Sequence, residues 1–316
     1  MTRANDEVLE LYRLMSFSRI FDRVIGGHDG HWHGLEGEEA AAVGAYFGLR
    51  ATDVLAPHYR GSPLASYIKG ADLRRLIAGM MGKPTGYNKG KHRNDVCGPW
   101  DFRLIGLYSG SLGPPLSYAA GAALSMKLDG RDNVAVAVFG DGTSSRGDVH
   151  EAMNTSSVLK LPIVFVCQNN QIAISTPTQT GVGGEIYRRA EGFGMTGRAV
   201  DGNDVLAVRG AMDEAIAAAR AGKGPSLIEL RTFRVAGHFY SDTEDYRDRE
   251  TVDAWRRKDP IAQFSRYLLE NDICTSQELV EIDSRLEAEI SEAFQAALAD
   301  PPPDGRDIDV EAVYAK

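Results

Sequence analysis

Two apolar runs, each followed by polar residues, decide how this chain folds: NVAVAVFGDGT at 133–143 and LPIVFVCQNN at 161–170. Both runs are nearly continuous in apolar residues, which is typical of parallel strands that are covered on both faces. A helical pattern at 145–160 separates them, and a third run follows at 225–232 after another helical stretch. This alternation predicts an α/β fold with a doubly wound, mostly parallel sheet flanked by helices.

The rest of the chain is predicted to be mainly helical. The spacing of apolar residues predicts an N-terminal helix over about 6–25 and a helical tail over about 251–316. Residues 82–113 are rich in glycine and lack periodicity, which indicates a long, functional irregular segment. We find no internal repeat or low-complexity linker, so we expect a single domain over 1–316. Further helices are expected at 37–50, 64–81, 114–127 and 205–221, and a short strand at 53–56.

The composition excludes several classes of protein. The 316 residues are 43% hydrophobic and 25% charged, as in an ordinary globular protein, and the net charge is −9. An acidic chain lacks the general basic character of a nucleic-acid-binding protein. The three scattered cysteines predict neither a disulfide framework nor a zinc site. The apolar runs are far shorter than the ~20 residues that a membrane span requires. We therefore expect a cytoplasmic protein with no nucleic-acid or membrane partner.

The ends of the first two strands carry the most informative residues. Gly140-Asp141-Gly142 ends one run, and Asn169-Asn170 ends the next. Because parallel strands deliver their carboxyl ends to one edge of a sheet, Asp141 and Asn170 are expected to lie close together. Carboxylate and amide oxygens suit Mg²⁺ or Ca²⁺, and the helix that follows Gly142 directs its N-terminus towards the same place, which favours an anion. The pattern predicts a site for a magnesium diphosphate.

Other interpretations of these motifs are weaker. Each motif alone is a common turn or strand exit, and the prediction depends on both ending neighbouring strands. No GxGxxG sequence opens a β–α unit, and no GxxxxGK[ST] phosphate loop is present. The histidines of HDGHWH at 28–33 could be a metal cluster, but they have no soft partners nearby in the sequence.

Gly-Asp-Gly followed one strand later by Asn-Asn resembles the thiamine diphosphate motif. The resemblance extends over nearly the whole chain, because several short motifs occur in the order found in one family. These motifs are GEEA at 37–40, HYRG at 58–61, SGSLGPP at 109–115, VDGND at 200–204, GH at 237–238 and KDPI at 258–261. The family is the α chain of the thiamine diphosphate-dependent first component of 2-oxo acid dehydrogenase complexes, which include pyruvate, branched-chain and acetoin dehydrogenases.

This resemblance implies roles for individual residues. The side chains of Asp141 and Asn170, with the carbonyl of Ile172, would bind Mg²⁺. His33 and His238 match two histidines at the diphosphate end and the entrance of the active site, and they are the implied catalytic residues. The residues implied to contact thiamine diphosphate are Tyr59, Arg60, Gly110, Leu112, Asp141, Gly142, Thr143, Asn170, Ile172 and His238.

The resemblance also implies a reaction and partners. A small 2-oxo acid would be decarboxylated, or acetoin cleaved, through a carbanion on the cofactor, and the acyl group would pass to a lipoyl group or another acceptor. In this family the glutamate that activates the cofactor belongs to a separate β subunit. The implied assembly is an α2β2 heterotetramer that works with a lipoyl-bearing acyltransferase, and the α chain alone should be inactive.

The chain departs from the family pattern at several positions. The usual GQEA is GEEA here, and Phe239 stands where mitochondrial pyruvate dehydrogenases carry a regulatory serine. The sequence after Gly237 is closer to the acetoin type. Two other functions stay open: the N-terminal half of a split transketolase-like enzyme, and a non-catalytic regulatory subunit of the same fold. The HYRG and KDPI motifs favour the dehydrogenase over the transketolase, and the joint presence of Asp141, Asn170 and His238 argues against a non-catalytic subunit.

Overall fold

A computed structural model of the chain describes residues 3–91, 99–106 and 112–304. Its helices are α1 (Arg3–His28), α2 (Glu39–Tyr46), α3 (Ser62–Ile68), α4 (Leu73–Met80), α5 (Pro114–Leu128), α6 (Gly147–Val158), α7 (Thr178–Gly181), α8 (Arg189–Gly192), α9 (Val205–Arg220), α10 (Arg249–Arg256), α11 (Pro260–Glu270) and α12 (Ser276–Leu298). Its strands are β1 (Val54–Ala56), β2 (Ala135–Gly140), β3 (Ile163–Asn169), β4 (Ile172–Ala173), β5 (Thr176–Pro177), β6 (Thr196–Asp201) and β7 (Ser226–Arg231). Short 3-10 turns lie at Tyr59–Gly61, Trp100–Phe102, Thr143–Ser145 and Ile186–Arg188.

The main sheet has five strands in the order β1-β2-β3-β7-β6, and every neighbouring pair is parallel. This confirms the predicted α/β fold. In the register of β2 and β3, Gly140 lies beside Gln168. The residues that follow these two positions therefore leave the sheet together at its carboxyl edge. Strands β4 and β5 form a small antiparallel ladder just beyond that edge.

The two faces of the sheet belong to two separate apolar cores. Along β2, Val136 and Val138 pack into the core that includes α1, α2, α9 and α12, whereas Ala137 and Phe139 pack into the core formed with α5 and α6. Successive side chains of a strand point to opposite faces, so a strand that is covered on both sides must be apolar at every position. The continuous apolar runs in the sequence have this cause.

Two parts of the core architecture differ from the sequence prediction. The helix expected at 64–81 is two helices, because the chain turns at Gly70, whose φ of +94° favours glycine, and α4 restarts at the N-cap Asp72. Strand β6 was not predicted. It is an edge strand that pairs with β7, and most of its residues are partly or fully exposed. It therefore lacks the continuous apolar run that identified the other strands.

The C-terminal part is helical as predicted, but the helices end at Leu298. Residues 299–304 are not helical, and the rest of the predicted tail lies outside the described residues. A capping box of Thr275 and Glu278 starts α12, and the helix packs against α1 and α4. The single-domain division stays a prediction. None of the helices in the described part of the chain has the length and apolarity to span a bilayer.

Candidate active site

Asp141 and Asn170 both lie at the carboxyl edge of the sheet, as the sequence predicted. Asp141 directly follows β2, and its side chain is buried. Its carboxylate accepts a hydrogen bond from the hydroxyl of Thr178, and burial raises the pKa of the carboxyl group. Asn170 directly follows β3 and is also buried, and its backbone carbonyl accepts a hydrogen bond from Arg234 N at 3.2 Å. The structure therefore brings these two predicted ligands to one edge.

The two asparagines are held by different buried glutamates. Nδ2 of Asn169 donates to Oε1 of Glu229 at 2.8 Å, whereas Nδ2 of Asn170 lies 3.0 Å from both carboxylate oxygens of Glu38. Glu38 also accepts from Nε2 of Gln168 at 2.6 Å. The sequence motifs indicated a role for neither glutamate. The lone acidic residue in the apolar run of β7 and the GEEA motif were the signals that could have identified them.

Gly142 and the β4 segment fit closely together. A Cβ atom on Gly142 would lie 2.5 Å from Cβ of Ala173, which is closer than two carbon atoms can approach. The chain reaches this position through Gln171, whose φ is +66°, and Ile172 is buried beside it. A side chain at 142 would therefore push away the segment that carries the predicted carbonyl ligand.

The structure also brings four other predicted residues together. The ring centroids of His33 and His238 are 4.8 Å apart, and those of His33 and Tyr59 are 5.2 Å apart. Nη2 of Arg60 donates to the carbonyl oxygen of His238 at 2.9 Å and lies 3.1 Å from Nδ1 of the same residue. Nη1 of Arg60 donates to the carbonyl of Gly34 at 2.9 Å. Arg60 thus joins the two segments that carry the histidines.

These contacts define the tautomers of the two rings. Nδ1 of His33 lies 2.6 Å from the carbonyl oxygen of His238, so this nitrogen carries the proton. Nδ1 of His238 accepts from Arg60, so in the neutral ring Nε2 carries the proton. Burial, together with the charge of Arg60, lowers the pKa of His238 to about 3. His238 is therefore neutral near pH 7 and offers an N–H group at Nε2.

A half-buried aspartate holds the segment that carries His33. Oδ1 of Asp22 accepts from Nε1 of Trp32 at 2.9 Å, and Oδ2 accepts from the backbone N–H of Leu35 at 2.5 Å. Because these partners flank His33 on both sides, Asp22 fixes the path of the chain through it. No spacing in the sequence indicated a role for Asp22, which is a charged residue within the apolar pattern of α1.

The remaining residues predicted to contact the cofactor are Thr143, Leu112 and Gly110. Thr143 is buried and begins a 3-10 turn, and Leu112 is half-buried just before α5. Gly110 lies outside the described residues. Within the described ranges, no three His, Cys, Asp or Glu side chains are grouped to hold a metal ion, which gives no support to a metal cluster at 28–33.

The chemistry of the site fits a hard divalent cation and a diphosphate. The nitrogen of the Asn170 carboxamide is hydrogen-bonded to Glu38, so its oxygen could act as a ligand, and the carboxylate of Asp141 could act as a second hard oxygen donor. Gly142 keeps the adjacent backbone clear of a side chain. A parallel sheet with such a carboxyl edge is typical of α/β enzymes that bind a phosphorylated cofactor.

Comparisons with known proteins agree with this class. The model of the family described as "Dehydrogenase E1 component" matches residues 11–305. The mitochondrial somatic form of pyruvate dehydrogenase E1 component subunit alpha from Sus scrofa is 36% identical over 278 residues, which cover 87% of this chain and 70% of that protein. The pyruvate dehydrogenase E1 component subunit alpha of Porphyra purpurea is 34% identical over 313 residues, 94% of this chain and 90% of that protein. The chloroplastic subunit alpha-3 of Arabidopsis thaliana is 34% identical over 323 residues, 98% of this chain and 75% of that protein.

This chain belongs to the dehydrogenase E1 component family. It is of the α-subunit type within the thiamine diphosphate-dependent oxidoreductases that act on an oxo group. The family that the sequence motifs indicated is therefore confirmed.

Proposed function

We propose that this chain is the α subunit of a dehydrogenase for a small, pyruvate-like 2-oxo acid, and that it binds thiamine diphosphate together with Mg²⁺. The observation that carries the proposal is the placement of Asp141 and Asn170 at one edge of the sheet, each buried and each with a carboxylate or amide oxygen available. The carbonyl of Ile172 would be the third protein ligand. Mg²⁺ typically completes its octahedron with phosphate oxygens and water, which suits a site with few protein ligands.

The diphosphate would lie against Gly142 and Thr143, with Gly110 and Leu112 beside the cofactor. Tyr59 and Arg60 would contact its phosphates. The guanidinium of Arg60 already donates to the carbonyls of Gly34 and His238. A bound phosphate would therefore contact the same guanidinium that joins the segments of Gly34 and His238. When bound, the cofactor supplies the electron sink for the carbanion that decarboxylation requires.

His33 and His238 would form hydrogen bonds with the substrate and transfer protons to or from it. In their neutral forms the two rings are complementary, because Nε2 of His238 carries a proton and Nε2 of His33 does not. One ring can donate to a substrate oxygen while the other accepts from a hydroxyl group. Burial and the proximity of Arg60 oppose a positive charge on His238 and lower its pKa, which keeps this donor in its neutral form near pH 7.

The proposed partners follow from the relatives, which are named as α subunits of an E1 component. We propose a β subunit that completes the active site in an α2β2 heterotetramer, and a lipoyl-bearing acyltransferase that accepts the acyl group. We propose a cytoplasmic location. Acetoin is a second candidate substrate, because GHF at 237–239 is followed by an acidic stretch that contains Tyr and Arg, which resembles the acetoin type.

The test is dye reduction by the chain alone and by the chain mixed with its β subunit, with thiamine diphosphate and Mg²⁺. The substrates are pyruvate, branched 2-oxo acids and acetoin. We expect activity only in the mixture and with one class of substrate. Cleavage of a ketose phosphate would instead support the transketolase-like function. Undetectable cofactor binding in the mixture would contradict the catalytic proposal and support a regulatory subunit.

A further inference from the structure

Glu38 occupies the centre of the buried polar network, although neither the motifs nor the comparisons give it a role. Its side chain is completely buried, at the residue before α2. It accepts hydrogen bonds from Nδ2 of Asn170 with both oxygens, at 3.0 Å, and from Nε2 of Gln168 at 2.6 Å. The nearest cation is Arg60, whose Nε is 3.9 Å from Oε1 and has no hydrogen-bond partner within the described residues. The direct partners of Glu38 are therefore amides.

A carboxamide presents a donor on one side and an acceptor on the other. A carboxylate can only accept, so it determines which end of the Asn170 amide faces it. With the nitrogen directed to Glu38, Oδ1 is directed away and lies 3.4 Å from the backbone nitrogen of Ile172. A rotated amide would place its nitrogen, which cannot bind a cation, on the ligand side.

We propose that Glu38 is a positioning residue for the metal site: by accepting both hydrogen bonds from the Asn170 amide, it presents Oδ1 of Asn170 to the cation. This inference rests on the proposed function, in which Asn170 is a ligand of Mg²⁺. The essential property is the acceptor at this position, and the negative charge of Glu38 is not required.

The first experiment measures Mn²⁺ binding by electron paramagnetic resonance, in the complex of the full chain with its β subunit and thiamine diphosphate. We expect Glu38→Leu to weaken Mn²⁺ binding by about 10–100-fold, the usual effect of losing a partner that orients a metal ligand. Glu38→Gln keeps one acceptor and should stay within about threefold of the wild type. An equal loss in both variants would contradict the inference, because it would mean that the charge of Glu38 matters and its hydrogen bonds do not.

Glu39→Leu is the matched control. Glu39 is the next residue and is equally buried, but its carboxylate pairs with Arg19 and accepts from Gly37 N. Arg19 keeps a second partner, Asp259, at 2.7 Å in this variant. We expect the control to lose stability and to retain Mn²⁺ affinity. A loss of affinity equal to that of Glu38→Leu would overturn the inference, because it would assign the effect to general damage of α2.

A donor–acceptor exchange tests orientation without depending on the leucine variants. Asn170→Asp alone places two carboxylates at hydrogen-bonding distance, so Mn²⁺ binding should weaken. Adding Glu38→Gln supplies an amide donor to the new carboxylate, and the double variant should bind Mn²⁺ more tightly than Asn170→Asp alone. Absence of this rescue would overturn the role of Glu38. If the wild-type complex binds thiamine diphosphate but no Mn²⁺, the proposed metal site itself fails, and the inference fails with it.

Discussion

The guanidinium of Arg60 and the backbone carbonyl of His238 are joined by a hydrogen bond of 2.9 Å across 178 residues of sequence. The same side chain donates to Gly34, next to His33. Arg60 is almost completely buried, so these bonds are formed away from water, where losing one partner is costly. The residue predicted to contact the phosphates also determines the distance between the two candidate catalytic histidines.

Replacement of Arg60 should therefore affect both the cofactor and the histidines. We expect Arg60→Ala to weaken thiamine diphosphate binding by about 1.5–3 kcal/mol, the value of a hydrogen bond to a charged group. It should also make the segment around His238 easier to cleave by a protease, since that carbonyl loses its donor. Titration calorimetry and limited proteolysis measure the two effects. Unchanged cofactor affinity would show that Arg60 does not contact the cofactor and only joins the segments of Gly34 and His238.

Replacement of Asp141 should separate cofactor binding from folding. We expect Asp141→Asn to abolish Mg²⁺-dependent binding of thiamine diphosphate, because an amide oxygen is a weaker ligand than a carboxylate. The variant without cofactor should be at least as stable as the wild type, since burial raises the pKa of Asp141 and so disfavours its charged form. Cofactor binding and urea unfolding are the measurements. Cofactor binding as tight as in the wild type would contradict the metal site.

A methyl group on Gly142 should displace the neighbouring segment. We expect Gly142→Ala to weaken cofactor binding by at least about tenfold, because the new Cβ meets Ala173 at 2.5 Å and moves Ile172 with it. The further change Ala173→Gly removes the opposing methyl group and should restore binding. Gly121→Ala is the control, because no atom lies within 4 Å of the new Cβ there and alanine favours a helix. No rescue by Ala173→Gly would contradict this contact as the cause.

His58 should make stability depend on pH. Burial, assisted by the charge of Arg60, lowers the pKa of His58 to about 3, so the native state binds its proton more weakly than the unfolded state. Between the unfolded pKa of about 6.5 and the native value, the contribution of His58 to stability falls as the pH falls, by up to about 1.4 kcal/mol per pH unit.

The measurement is the free energy of unfolding in urea between about pH 7 and about pH 5, for the wild type and for His58→Gln. Other groups titrate in both proteins: desolvation raises the pKa of Asp22 to about 7, which acts in the opposite direction. The difference between the two proteins therefore isolates His58. We expect the variant to lose less stability on acidification, and parallel curves would show that His58 is not protonated on unfolding in this range.

The sequence determined the sheet and the pair of predicted ligands at its edge. The runs that became β2 and β3 are apolar at every position because both faces are covered, and parallel strands must end at the same edge, so Asp141 and Asn170 could be placed together without coordinates. The short motifs also identified the family, because their order along the chain can be observed in the sequence without a structure.

Only the tertiary structure decided what holds those residues in place. Glu38 and Asn170 are 132 residues apart, and Arg60 and His238 are 178 apart, so no spacing in the sequence relates them. The edge strand β6 was missed for a related reason: within the described residues one of its sides has no neighbouring strand, and its exposed residues need not be apolar. The local pattern of apolar residues indicates whether a segment is buried. It does not identify the residues that bury or orient that segment, because those contacts depend on packing across the whole fold.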